Sequence, residues 1–179
     1  MATHFYTASS LDGFLATSEH SLEWLFRQDF DFEGPMGVPA FLEGVGALVL
    51  GASTYEWLRR SGEPWPYSQP AWVVTHRELP RIEGADLRFV AGDIAPIHAA
   101  ATAAAGERDV WVMGGGDLAG QFADAGLLDE VWVQFAPVTL GAGCPLLPRA
   151  LQLELVDTVR NRDFVCARYR IPRIQPSVE

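Results

Sequence analysis

Short apolar runs rich in β-forming residues recur along the chain: THFYTAS at 3–9, GALVLG at 46–51, AWVVT at 71–75, LRFVA at 87–91, VWVM at 110–113 and EVWVQFAP at 130–137. Runs of this length, each stopped by glycine, a turn or a charged residue, read as strands. Between them the apolar spacing lengthens to three and four. Ile94, Ile97 and Ala101 share one face of an alanine-rich stretch over 93–105, and Leu118, Phe122 and Ala125 recur at i, i+4 and i+7. Both patterns predict helices, the second capped by Asp117 and ended by Gly126. Shorter helices are expected after Ser21, which can cap Leu22–Phe26, from Pro39 onward, and over 52–58 with Ser53 or Thr54 as cap. The stretches 29–37 and 62–70, broken by glycine and proline, read as loops. Residues 151–160 and 164–171 form two last strands joined at Arg162-Asp163, too close for a helical crossover and therefore antiparallel. The alternation predicts an α/β fold, a mostly parallel twisted sheet of about eight strands with helices on both faces and a C-terminal antiparallel hairpin. One domain is expected over 1–171, with 172–179 as a tail.

Composition narrows the field. With 179 residues, 49% hydrophobic and 20% charged, the chain can bury a sizeable core. Thirteen basic against 23 acidic residues give a net charge of −10, and no basic run is present, which argues against a nucleic-acid or membrane-surface partner. Two cysteines and four scattered histidines make no metal-ligand spacing. No metal is expected, and Cys144 reads as a small filler because no histidine neighbours it in sequence. His98 is expected on the exposed face of its helix. No apolar run has the length of a membrane span, so a cytoplasmic location is expected.

Chemistry concentrates where strands stop. DVWVMGGGDLAGQFADAG over 109–126 runs from a strand through Gly114, Gly115 and Gly116 into a helix start. Glycines admit a ligand close to the backbone, and the free N–H groups of a first helical turn attract an anion, most often phosphate. Gly51-Ala52-Ser53-Thr54 repeats the arrangement, and Arg77 stands at another strand end. The Asp12-Gly13 turn follows the first strand. Ligands of such sheets bind beyond the carboxyl ends of the strands, so these four turns are expected to line one cleft.

SLDGFLA at 10–16, GASTYEW at 51–57, VMGGGDLAGQFADAGLLDE over 112–130 and APVTLGAGCPLL at 136–147 resemble, in this order, the dihydrofolate reductase fold. The resemblance is closer to its branch holding the reductase domain of bacterial riboflavin biosynthesis, the RibD C-terminal domain, here as a stand-alone member. It implies an NADPH-dependent reductase acting on a small imine, pyrimidine or pteridine-like substrate, with NADH not excluded. Cofactor contacts would fall at Gly13, Gly51, Ser53, Thr54, Thr75, His76, Arg77, Met113, Gly114, Gly115, Gly116, Asp117 and Leu118. Of these, Thr75, His76 and Arg77 would border the 2′-phosphate. Substrate-side candidates are Asp12, Ser21 and Trp24. Where dihydrofolate reductases carry a carboxylate this chain has Ser21, which argues against folate reduction, and Ala52 replaces the basic residue many relatives carry after the second-unit glycine. A non-catalytic nucleotide-binding protein is the alternative. Relatives of this branch are commonly dimers, and the alternate face of the 130–137 strand, Trp132, Gln134 and Ala136, is the expected twofold surface.

Overall fold

The computed structural model describes residues 1–173, so residues 174–179 of the expected tail lie outside the described residues. In chain order the elements are β1 (Thr3–Ser10), β2 (Phe14–Ala16), α1 (Glu23–Phe26), α2 (Val38–Glu43), β3 (Val45–Gly51), α3 (Ala52–Arg60), β4 (Ala71–Val74), β5 (Leu87–Val90), α4 (Ile94–Ala105), β6 (Asp109–Gly114), α5 (Gly116–Asp124), β7 (Glu130–Ala136), β8 (Cys144–Pro145), β9 (Glu154–Asn161) and β10 (Phe164–Arg170). Eight strands form one sheet in the order β5-β4-β3-β6-β1-β7-β10-β9. Neighbours from β5 through to β7 run parallel, while β10 is antiparallel to β7 and β9 to β10. The α/β sheet with its C-terminal antiparallel hairpin is thus the one expected. The ribbon of β2 and β8 stands apart from it.

Successive strand residues point to opposite faces, and both faces are covered. On one, Phe5, Val49, Val112, Val131 and Val133 pack with Ile94, Ile97, Ala101 and Ala105 of α4 and Leu118, Ala119 and Phe122 of α5. On the other, Tyr6, Leu48, Leu50, Val73 and Trp111 pack with Tyr55 of α3 and Phe41 of α2. Ala125, expected on the buried face of α5, is exposed; Ala119 and Gly120 are buried instead.

Three cap expectations are corrected. Helix α3 is capped by Gly51 in extended conformation rather than by Ser53 or Thr54, and α5 by Gly115 rather than Asp117. In each case the strand passes straight into the helix, leaving those polar side chains in the first turn. Leu22 stands at the cap position of α1, and the Ser21 hydroxyl receives only the Glu23 N–H at 3.3 Å. Gly126, at φ +68°, follows the C-cap Ala125 and ends α5 as expected.

The alternate face of β7 is an interior surface. Gln134 is buried and donates to the Met36 carbonyl at 2.9 Å, Ala136 packs with Trp24, Phe164 and Cys166, and Trp132 meets Phe41. The segment holding α1 and α2 covers the surface expected to be a twofold interface. His98 is likewise half-buried rather than exposed, 2.8 Å from the Thr3 hydroxyl and edge-on to Phe122, and burial lowers its pKa. No described helix is long and apolar enough to cross a membrane, and among the described residues no group of His, Cys, Asp and Glu forms a metal site.

Candidate functional site

A cleft of about 520 Å³ opens over the carboxyl-terminal parts of β1, β3, β4 and β6, a size suited to a small ligand. Its walls are the first turns of α3 and α5, the β2–β8 ribbon, and the loop leading into α1 with α1 itself, which contribute His20, Leu22 and Leu25. Two members of the glycine triplet, Gly115 and Gly116, line it, and the three do different work. Gly114 has φ +108° and is joined to Gly115 by a cis peptide. A Cβ on Gly116 would overlap the carbonyl oxygens of Pro145 and Leu146, so this glycine lets the ribbon close on α5. Gly115 has nothing within 4 Å of its Cβ position and lines the cleft, so its missing side chain leaves room for a ligand.

The caps of α3 and α5 abut. A Cβ on Gly51 would lie 3.5 Å from the Gly114 carbonyl oxygen and 3.7 Å from the Gly115 nitrogen. Each nine-residue helix presents first-turn N–H groups without intrahelical acceptors and the positive end of its dipole. Two such ends meeting at one wall, with Ser53 and Thr54 beside them, fit the phosphate of a nucleotide. No Lys or Arg lines the cleft among the described residues. Its one carboxylate, Asp117, accepts from Gln121 at 2.9 Å and from Arg149 at 3.1 Å, and these bonds, Gln121 foremost, hold its carboxyl below the usual range. Across from it, Cys144 Sγ lies 3.3 Å from His20 Nδ1.

The model of the RibD C-terminal domain matches residues 59–165. The chain belongs to the RibD C-terminal domain family. It is 30% identical over 170 residues to YwjB of Bacillus subtilis strain 168, a protein itself uncharacterized, covering 93% of this chain and 96% of that one. Among solved structures, a candidate riboflavin biosynthesis protein of Shewanella sp. PV-4 superposes with a TM-score of 0.83 at 27% identity, over 96% of this chain and 99% of that one. Dihydrofolate reductase of Enterococcus faecalis, solved with NADP(H), shares the fold at a TM-score of 0.62 and 17% identity, over 95% and 96% of the two chains.

In this RibD C-terminal domain, Gly51, Ser53, Thr54, Met113 and Gly115 line the cleft together with Gly116, Asp117 and Leu118, all expected cofactor contacts. Gly114, also an expected contact, does not itself line the cleft. Thr75, His76 and Arg77 lie just past Val74, the last residue of β4 on the cleft wall. The Thr75 hydroxyl receives the Arg77 N–H at 3.0 Å, and the Arg77 guanidinium pairs with Glu56 at 2.8 Å.

None of the substrate-side candidates lines the cleft. Asp12 accepts from the Ser10 hydroxyl at 2.6 Å and from the backbone of Leu140 and Gly141 at 3.0 and 2.7 Å, bonds that lower its pKa, the Ser10 bond most. It ties two loops together and does not line the cleft. Gly13, at φ +85°, completes the turn, its carbonyl receiving the Leu146 N–H at 2.9 Å. Trp24 is core, buried with Ala136, Phe164 and Cys166. Ser21 stands outside the cleft while its neighbours His20 and Leu22 line it. Cys144, read from sequence as filler, has a histidine beside it after all, brought by the fold from 124 positions away. His20, Leu25 and Trp57 also line the cleft unanticipated, and a loop histidine carries no periodicity that would have marked it.

Proposed function

We propose that this chain is an NADPH-dependent reductase acting on a small unsaturated nitrogen ring or imine of the pyrimidine or pteridine kind. The abutting N-caps of α3 and α5, with the open face of Gly115 between them and the cleft, carry the reading. When bound, the reduced nicotinamide supplies the hydride. The chain's own part is to bind and orient. First-turn N–H groups of both helices with Ser53 and Thr54 take the phosphates, Met113 and Leu118 flank them, and Arg77, whose guanidinium keeps donors beyond the two used by Glu56, takes the 2′-phosphate. Leu22, Leu25 and Trp57 give an apolar wall suited to a flat ring and to excluding water. Folate reduction is disfavoured because Ser21 is no acid and stands outside the cleft.

Calorimetric titration with NADPH and NADH tests this. Micromolar NADPH binding is expected, weakened about tenfold or more, roughly 1.4 kcal/mol, in Gly115→Val, whose side chain would occupy the cleft. Arg77→Ala should weaken NADPH and leave NADH unchanged. No binding of either nucleotide would reject the reading.

A further inference from the structure

Reducing a C=N bond takes a hydride at carbon and a proton at nitrogen, and the substrate-side candidates Asp12 and Ser21 do not line the cleft. The titratable side chains lining the cleft are His20, Cys144 and Asp117. Asp117 is held as the anion by Gln121 and Arg149. Its remaining hydroxyls and amide, those of Thr7, Ser53, Thr54 and Gln121, are poor acids near neutrality. We propose that the imidazolium of His20, oriented by Cys144, is the proton donor of this site. The inference rests on the reductase reading above.

The geometry orders the pair. Cys144 Sγ lies 3.7 Å from the Thr17 carbonyl oxygen, so the S–H can donate there, and the sulfur can accept Nδ1–H from His20 at 3.3 Å. Nδ1 thus keeps its hydrogen throughout, and Nε2 is the atom that gains and gives the other proton. His20 is set in the left-handed region, φ +60°, uncommon for a non-glycine residue. Its loop is held by His20 N–H to the Thr17 carbonyl at 2.9 Å and by Ser21 N–H to the Thr17 hydroxyl at 3.1 Å. Thr17 therefore positions both members. As hydride forms the C–H bond and the C=N π pair moves onto nitrogen, Nε2–H breaks and N–H forms. Neutral His20, exposed at the rim, is then reprotonated from solvent.

The test uses the full chain, wild type, His20→Gln and Cys144→Ala. The first readout needs no turnover: iodoacetamide labelling followed by mass spectrometry should modify Cys144 and spare buried Cys166, whose thiol burial pushes up to about 11. Labelling of Cys144 should slow about fivefold or more in His20→Gln, because the Nδ1–H bonded to the attacking sulfur is gone. Equal labelling in both would overturn the pairing. The second readout is NADPH oxidation with a panel of pyrimidines, pteridines and cyclic imines. Wild-type kcat should fall as pH rises, and in His20→Gln kcat should fall at least about tenfold and lose that pH dependence, with nucleotide affinity kept. Cys144→Ala should shift the pH profile with a smaller loss. Turnover in His20→Gln equal to wild type would overturn the donor role alone, whereas nucleotide binding or turnover absent from wild type would overturn the reductase reading and this inference together.

Discussion

Side chains at this site divide by whether their bonding capacity is already committed. Asp12 is of the type of a catalytic carboxylate, yet its oxygens take the nearby Ser10 hydroxyl and two backbone N–H groups from the loop at Leu140 and Gly141. Those donors favour the charged form, with Ser10 contributing most, so the folded pKa lies below the unfolded value. The sign follows. The stabilisation is full above the unfolded carboxyl pKa and is lost as pH falls through the lower, folded one. Thermal melts from about pH 6 to about pH 3 should therefore show the wild-type midpoint dropping further than that of Asp12→Asn, since the unfolded aspartate titrates near 3.9. Equal slopes would mean that the loop bond is not formed. The glycine triplet shows the same division, with Gly114 serving backbone conformation, Gly116 the packing of the ribbon and Gly115 the open space.

Strands declared themselves in the sequence because a buried β-run needs continuous apolar residues, and the two large helices because Ile94, Ile97, Leu118 and Phe122 must face the sheet. The ribbon of β2 and β8 did not, since three and two residues are too few for any alternation to register. Cap residues were misread where a strand enters a helix directly, as at Gly51 and Gly115. The side of the cleft built from the starts of α3 and α5 was legible for the same reason the strands were, because glycine turns end them. The His20–Cys144 pair was not, because nothing local links residues that only folding brings together. The misassigned face of β7 illustrates the limit from the other side. Gln134 among apolar neighbours looks like surface, but its amide satisfies Met36. Gln134→Ala should cost about 1 kcal/mol and lower the melting midpoint by roughly 2–4 °C, without altering the sedimentation coefficient. A change in association state would restore that face as an interface. A homodimer, which we retain as a proposal, has to use a different surface.

Across the whole molecule, charge and site are set against each other. The chain carries a net charge of −10, and among the described residues the cleft offers an anion helix ends rather than a lining Lys or Arg. Long-range repulsion is screened by salt, with a Debye length near 10 Å at 0.1 M, while the short-range helix-end contacts are not. The association rate of NADPH, followed by stopped-flow tryptophan fluorescence, should therefore rise as salt increases from about 20 to about 300 mM. A falling rate would show that a local cation steers the nucleotide instead. The place of β1 has a consequence in time. It lies mid-sheet, between β6 and β7, and its Thr3 N–H is held by Asp129, 126 residues later. At roughly 5–20 residues per second, on the order of ten seconds separate the synthesis of this strand from that of its last neighbour. For most of that interval β1 has no partner in the sheet, since β6 is also made late, so the newborn chain must wait, and be kept from other chains, until β6 and β7 exist.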